Sequence, residues 1–468
     1  MSGLMLVLSR QSAGVMIGSV CAIPLDKRGR KVGIVVMCAV SLVGILIEFT
    51  ASFNGYRYWQ LVSGKLIKSV SMGIAANVIP TYNTEIAPTR WRGAIINLYQ
   101  CIQVIGVILV SLAVFLCRHK PGALSWQLCI GLQLFPVIFL LGGISFLPES
   151  PRYLLFNGNP IAARQSLDML YVTPNTTTSE IDHEFLLLEE AMRAEKVRKN
   201  DRLFRTQKNR AQRIADGEGV LKRAKGIMSD YFFANKSDAR RMMIAVGMQC
   251  LQQAQGSGYM TNYLLLFLYS LNIMNPYPFI IGLYVLYLIG TVFSFFLPDM
   301  VGRRPIMLST AAICGLAMLS ISLLNTIGSF EGGIRSGSLG LVFIWYFFFG
   351  LGWSPLVWIT CSEVCSTRAR EITLATAVFS GFGTGLVISL VSPYIQNPEH
   401  GNLGAKIGFL WAGFTLISIP FVYFFVPEMK GLSLEKLDAL FEAKTPTLDF
   451  PKASKDISTL PEQKYNQF

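Results

Sequence analysis

Apolar residues in this chain gather into long runs broken by short polar turns. Eleven runs approach the length of a spanning helix, about 20 residues. They lie near 4–23, 33–53, 59–80, 94–117, 126–147, 243–271, 278–297, 306–328, 338–361, 373–396 and 404–426. Each is predicted to be a transmembrane helix. The first run passes straight into a basic turn, which is not the pattern of a cleavable signal peptide.

The turns repeat. Ala22–Lys31 reads Ala-Ile-Pro-Leu-Asp-Lys-Arg-Gly-Arg-Lys, and a degraded copy stands at Phe295–Arg304. Asp26 recurs 273 residues on at Asp299, Glu85 recurs 278 on at Glu363, and Pro148 recurs 279 on at Pro427. Offsets this consistent imply a duplicated bundle, with acid and base at the same helix ends in each half. We therefore expect an all-α membrane protein of two pseudo-repeat bundles, with about 11 transmembrane helices (5 + 6). The predicted boundaries are 1–147 for the first bundle, 148–241 for a linker, 242–426 for the second bundle and 427–468 for a tail.

Composition agrees. Charged residues make up 15% of the chain and apolar residues 52%, where soluble domains carry about 25% charged residues. The net charge of +13 would suit nucleic acid, but the bases fall in short turns and one central loop. Retention of cytoplasmic loops explains that placement better. It puts the basic turns, the linker and the C-terminal tail in the cytoplasm. Within the tail, Ser433 is placed to cap a helix that turns Leu434, Leu437 and Phe441 toward the bundle. The linker carries short amphipathic patterns and two sequons, at Asn175 and Asn235, which are idle on that side.

Catalytic chemistry is not indicated. There is no P-loop, nucleophile elbow or dinucleotide fingerprint. The three histidines are scattered and the nine cysteines lie in or beside the spans, so neither a metal site, a cofactor nor a disulfide framework is expected. The informative polar residues lie inside the spans. Glu48 precedes one helical hairpin turn, and Lys65 and Lys68 follow it. Each lysine costs about 2.5–3.5 kcal/mol at mid-membrane on insertion scales, so a Glu48–Lys65 pair at matching depth is expected. Snorkelling of all three charges toward the interface is the alternative.

Taken together, these features resemble the sugar porter family of the major facilitator superfamily, and most closely its fungal members. The matching segments are Gly14–Ser19 through Asp26–Lys31, Glu85 to Gly93, Pro148-Glu-Ser-Pro-Arg152, Gln252-Gln253, Trp358 to Glu363, and Pro427-Glu-Met-Lys-Gly431. The resemblance implies two bundles that rock about a central sugar site and a protein that transports a sugar, by proton symport or by facilitation. It implies a monomeric multi-pass protein, of the plasma membrane in fungal members. A cytoplasmic gate would be formed by Asp26, Arg30, Glu85, Arg92, Glu149 and Arg152 in one half and by Asp299, Arg303, Glu363 and Arg370 in the other. Sugar contacts would come from Gln100, Gln252 and Gln253, with Trp358 against the apolar face of the sugar and Gln249 one turn before Gln252. Amides suit a neutral polyol because each carries donors and an acceptor.

The chain departs from the family pattern in several places. Gly258 stands where the family has asparagine, and Gly381 and Phe382 replace a polar pair, with Gly385 beyond. These changes open volume and suit a bulkier sugar, such as a disaccharide or α-glucoside. Lys65 replaces an arginine, Ser69 and Ser71 replace two glycines, and Ala22 replaces a glycine. The residues matching the second family helix begin almost at Met1. The resemblance thus implies that the first family helix, with its carboxylate for proton coupling, lies outside these residues, and Glu48 with Lys65 is a candidate substitute. Transport of a quinate-like acid or polyol, a non-transporting sugar sensor and an inactive truncated transporter remain alternative readings.

Overall fold

The computed structural model describes residues 2–26, 28–51, 57–87, 92–118, 124–171, 236–270, 273–327, 333–366, 370–396, 401–432 and 434–453, with isolated positions between and parts of 181–193. The two sequons, Ser433 and most of the linker lie outside the described residues. Among the described residues the elements are helical. The first group is α1 (Ser2–Asp26), α2 (Arg30–Thr50), α3 (Tyr58–Ile86), α4 (Arg92–Cys117), α5 (Leu124–Leu132) and α6 (Leu134–Gly143). Two short helices follow, α7 (Pro151–Phe156) and α8 (Pro160–Tyr171). The second group is α9 (Lys236–Gln252), α10 (Gly258–Ser270), α11 (Tyr277–Phe293), α12 (Leu297–Met300), α13 (Arg303–Ile327), α14 (Gly333–Leu351), α15 (Trp353–Val364), α16 (Arg370–Gln396) and α17 (Gly408–Phe425), with α18 (Leu434–Glu442) in the tail.

Among the described residues, eight stretches are both long and apolar enough to cross a bilayer: α2, α4, α5–α6, α11–α12, α13, α14–α15, α16 and α17. The other expected spans are α1, α3 and α9–α10. Of these α3 carries Lys65 and Lys68, and α9 opens on a charged turn and then carries the glutamines. Helices of 25 and 29 residues, α1 and α3, rise about 38 and 44 Å, so length does not exclude them.

The turn chemistry is repeated in three dimensions. Gly29 and Gly302 have φ of 120° and 111°, a backbone region that side chains rarely adopt. Each lets the chain enter the next helix beside a carboxylate. Glu149 accepts from the backbone N–H of Arg30 at 3.0 Å and of Lys31 at 3.2 Å. Glu428 accepts from Arg303 and Arg304 N–H, both at 3.0 Å. The acid of each Pro-Glu turn thus caps the helix that follows the basic turn of its own half, where unpaired N–H groups and the helix dipole favour a negative charge.

Helix contacts repeat as well. Gly18 of α1 meets Gly73 of α3 with no room for a Cβ on either, and at the repeated positions Gly290 of α11 packs on the Phe347 carbonyl of α14 and Gly350 of α14 on Tyr287 of α11, again with no room for a Cβ. The halves touch along α1 with α16 and α4 with α11. Two helices are broken where polar residues gather. A π-helical turn at Gln253–Ser257 separates α9 from α10, with Gly256 at φ 104° against Trp411. Such turns often mark functional sites. Gly352 separates α14 from α15 and packs against Thr310.

Candidate functional site

At the basic-turn end of the molecule, Arg30 forms a two-pronged bond with Glu85. Its Nε lies 3.0 Å from Oε2 and its Nη2 2.8 Å from Oε1. Nη1 donates to the Asp26 carbonyl at 2.6 Å and lies 3.8 Å from Glu371 of the other half. Arg303 repeats the arrangement more loosely. It reaches the Pro298 carbonyl at 2.9 Å, Asp299 at 3.0 Å and Glu363 at 3.5 Å. A Cβ placed on Gly93, at the start of α4, would lie 3.5 Å from Arg303 Nη2. Each arginine therefore binds the acid of its own half and faces the first turn of the helix that the other half contributes, α16 or α4.

Burial sets the electrostatics here. The Asp26 carboxyl is 2% exposed and is pushed up to about 7 by desolvation. Arg30 opposes the shift, and Glu371 and Glu85 add to it. Burial would also raise Glu85, but the charge and hydrogen bonds of Arg30, with smaller help from Ser150 and Arg370, hold it below the usual carboxylate range. Arg370 is buried within electrostatic reach of Arg152 and Glu85. The Arg92 side chain lies outside the described residues.

Midway along the helices, a chain of hydrogen bonds crosses from one half to the other. Gln100 of α4 donates to Tyr287 Oη at 3.3 Å, and Tyr287 Oη shares a short hydrogen bond with Ser354 Oγ. Gln252 Nε2 donates to the carbonyls of Trp353 and Ser354, both at 3.2 Å. Trp358 is buried nearby, with the Tyr99 ring edge-on at 5.9 Å. Gln249, one turn before Gln252, and Gln253, the next residue after it, both meet α16. Gln249 packs on Gly381, and the Gln253 amide oxygen would stand 3.3 Å from a Cβ at Gly385 and 2.9 Å from one at Gly258. The glycines that depart from the family pattern therefore make room for Gln249 and Gln253.

In the first half, the expected Glu48–Lys65 pair is corrected to Glu48–Lys68. Lys68 Nζ lies 3.0 Å from Glu48 Oε2 and donates to Gln133 Oε1 at 2.9 Å. Angular position on the helix decides the partner, since depth is similar. Glu48 packs on Gly64 of α3, and Gly44 packs on the Lys68 backbone. Lys68 stands four residues beyond Gly64 and so shares its face, whereas Lys65 does not. Lys65 instead lines a cavity of about 470 Å³ together with Glu48, Lys68, Gln11, Trp126 and Gln133.

A match to the family described as sugar (and other) transporters runs over residues 2–441. The chain belongs to that family. It is 26% identical over 446 residues to a probable glucose transporter, rco-3, of Neurospora crassa, covering 93% of this chain and 70% of that protein. It is 26% identical over 448 residues to the low-affinity glucose transporter HXT3 of Saccharomyces cerevisiae, covering 93% and 73%. Among solved structures it resembles the major facilitator superfamily proton:xylose symporter XylE bound to 6-bromo-6-deoxy-D-glucose. That likeness has a TM-score of 0.71 at 18% identity and covers 93% of this chain and 89% of the other. The fold is thus that of the major facilitator superfamily, and the protein is a multi-pass membrane protein.

Several residues of this sugar transporter family member were not singled out from sequence. Glu428 was legible as the echo of Glu149 in the repeated Pro-Glu turn. Tyr287 and Ser354 carried no signal of their own, because aromatic and small residues abound in spans. The tail contact was only half legible. Arg241 bonds the Asp438 carboxylate and its carbonyl, and Arg240 lies between Phe441 and Phe450. A helix facing the bundle was expected at this position, but the arginine clamp was not.

Proposed function

We propose that this protein carries a neutral sugar across the plasma membrane by alternating access, with its basic-turn end and C-terminal tail in the cytoplasm. The observation that carries this reading is the chain Gln100–Tyr287–Ser354–Gln252, which joins the halves at mid-depth through groups able to exchange one hydroxyl partner for another. A sugar hydroxyl that displaces Tyr287 from Gln100 keeps every group bonded, so binding and rearrangement at this seam are coupled at little cost. The ion pairs at the basic-turn end add to this. Arg30–Glu371 and the approach of Arg303 to Gly93 link the halves in this state and break when that end opens, so their worth lies in the difference between states. Proton coupling is assigned to Glu48, whose protonation releases Lys68.

The test is uptake of labelled glucose and maltose in a host lacking its own sugar carriers, with and without a protonophore. We expect uptake that Gln100→Ala and Gln252→Ala each weaken about tenfold in KM, the cost of about one hydrogen bond (1.4 kcal/mol). Uptake should collapse with protonophore and become insensitive to it in Glu48→Gln. Binding of sugar without uptake would overturn transport, and full uptake with protonophore present would overturn the coupling alone.

A further inference from the structure

The tail ends in a strap that takes no part in the glutamine seam or in the ion pairs between the halves. Helix α18 closes on Lys444, at φ 57°. Lys444 N–H donates to the Phe441 carbonyl at 3.1 Å and Thr445 N–H to the Leu440 carbonyl at 3.2 Å. This left-handed turn reverses the chain, and residues 445–450 run back to the start of α9. Arg240 holds them there. Its Nη1 donates to the Thr445 carbonyl and its Nη2 to Thr447 Oγ1, both at 2.8 Å. Its guanidinium lies 5.3 Å from the Phe441 ring and 5.8 Å from the Phe450 ring, and both rings are buried in the core of the second half. Arg241, the next residue, takes the Asp438 carboxylate. Arg240 is thus a cation held by a carbonyl, a hydroxyl and two rings, and no carboxylate pairs with it among the described residues.

We propose that Thr445 is a phosphorylation site and that Arg240 receives its phosphate. Thr445 is half-buried between exposed Lys444 and Pro446, whereas Thr447 is buried. Thr445-Pro446 is an acceptor dipeptide for a proline-directed kinase. The proposal rests on the reading above, which puts the tail in the cytoplasm with such kinases and ATP. In the step, Thr445 Oγ1 attacks the terminal phosphorus of ATP on the kinase. The Oγ1–P bond forms, the bond to the ADP oxygen breaks, and the hydroxyl proton passes to the base of the kinase. The phosphate brings about −1.5 to −2 charges and three strong acceptor oxygens. It gives Arg240 and Lys444 the anion that the neutral hydroxyl does not, and charge-assisted bonds are roughly twice as strong as neutral ones. The phosphorylated strap therefore stays docked on α9. Because α9 also carries Gln252 of the seam, a fixed strap resists the rearrangement that transport requires, and uptake slows.

The test uses the whole chain purified into lipid nanodiscs, treated with ATP and a proline-directed kinase, and read by phosphopeptide mass spectrometry and hydrogen–deuterium exchange. Phosphate is expected on Thr445, with exchange of residues 445–450 slowed about tenfold and restored by a phosphatase. Thr445→Val should abolish the slowing, and Arg240→Gln should accept phosphate with less than about twofold slowing. No phosphate on Thr445, phosphate that leaves exchange unchanged or speeds it, or equal slowing in Arg240→Gln would overturn the site. The phosphatase reversal is read on the unaltered protein, so it decides the matter even where Arg240→Gln loosens the tail by itself. In sealed vesicles with kinase and ATP on the tail side, glucose uptake should fall about fivefold with KM within about twofold. Unchanged uptake by phosphorylated protein would overturn the regulation. Sugar uptake without a phosphate-dependent strap would sink this site and leave transport standing. A phosphate-dependent strap without uptake of any sugar would do the reverse.

Discussion

The two halves share their turns but not their cover. Arg30 and Arg303, Glu85 and Glu363, Glu149 and Glu428, and the closely packed Gly18 and Gly73 with Gly290 and Gly350 are the same parts at nearly the same offsets. Burial of the matching spans differs widely. The apolar window of α4 is 17% buried against 44% for its counterpart α16, and that of α5–α6 is 6% buried against 33% for α17. The hydrophobic core follows suit. One large cluster fills the second half, and a cluster of six residues (Ile34, Met37, Cys38, Ile74, Val78 and Tyr82) serves the first. The physical reason is visible in the element list. In the second half α9 and α10 pack against α15, α16 and α17, and no described helix stands in the corresponding place against α3, α4 and α5. Turn chemistry needs only the few groups at one end of the helices. Core burial is a property of the whole bundle, and the polar cavity of the first half lies on the less covered side.

The sharpest way to break the comparison is at the arginines. Arg30→Met strands the buried Glu85 and should cost about 3–5 kcal/mol, the usual price of one partner lost from a buried pair. Arg303→Met should cost about 1–3 kcal/mol, since Glu363 is held by one contact at 3.5 Å and Asp299 is half-exposed. Melting of the detergent-solubilised variants should rank them in that order, and the reverse order would show that the looser ion-pair cluster is the one that matters more for stability. The next largest effect is expected at the helix contacts. Gly73→Val meets only backbone, at Val15, Gly18 and Ser19, while Gly350→Val meets the ring as well as the carbonyl of Tyr287. Overpacking of about 3 kcal/mol is expected for the first and about 1–2 kcal/mol for the second, where a side chain can yield.

The smallest effect sharpens the comparison through pH. Well below its ordinary value of 3.8, Asp26 is protonated whether the chain is folded or unfolded. As pH rises, the unfolded chain releases this proton first and the folded chain keeps it to about 7. Stability present at low pH is therefore lost across that window, by at most about 1.4 kcal/mol per pH unit. Melting temperature should fall from pH 5 to pH 7, less so in Asp26→Asn.

Much of this was legible in the order of residues. Runs of about 20 apolar residues are dictated by the bilayer, and the charged turns recur at nearly constant offsets. Both patterns lie in the order of residues, so the spans and the repeated turns could be read directly. Three things could not. The partner of Glu48 is Lys68 and not Lys65, because the close packing of Gly44 and Gly64 sets the rotation of α3 against α2, and spacing along one helix carries no such information. Gln249 packs on Gly381 of α16 and Gln253 lies beside Gly385 of α16, while Gln252 bonds the α15 carbonyls, because α9 is wedged between those two helices. The union of Gln100 with Gln252 runs through Tyr287 and Ser354, which belong to other helices and are brought together only when the two halves meet. Sequence alone settled which runs must lie in lipid and which turns carry the repeated charges. Tertiary structure settled which of them face each other, since that depends on how helices rotate and pack across distances that no local pattern spans.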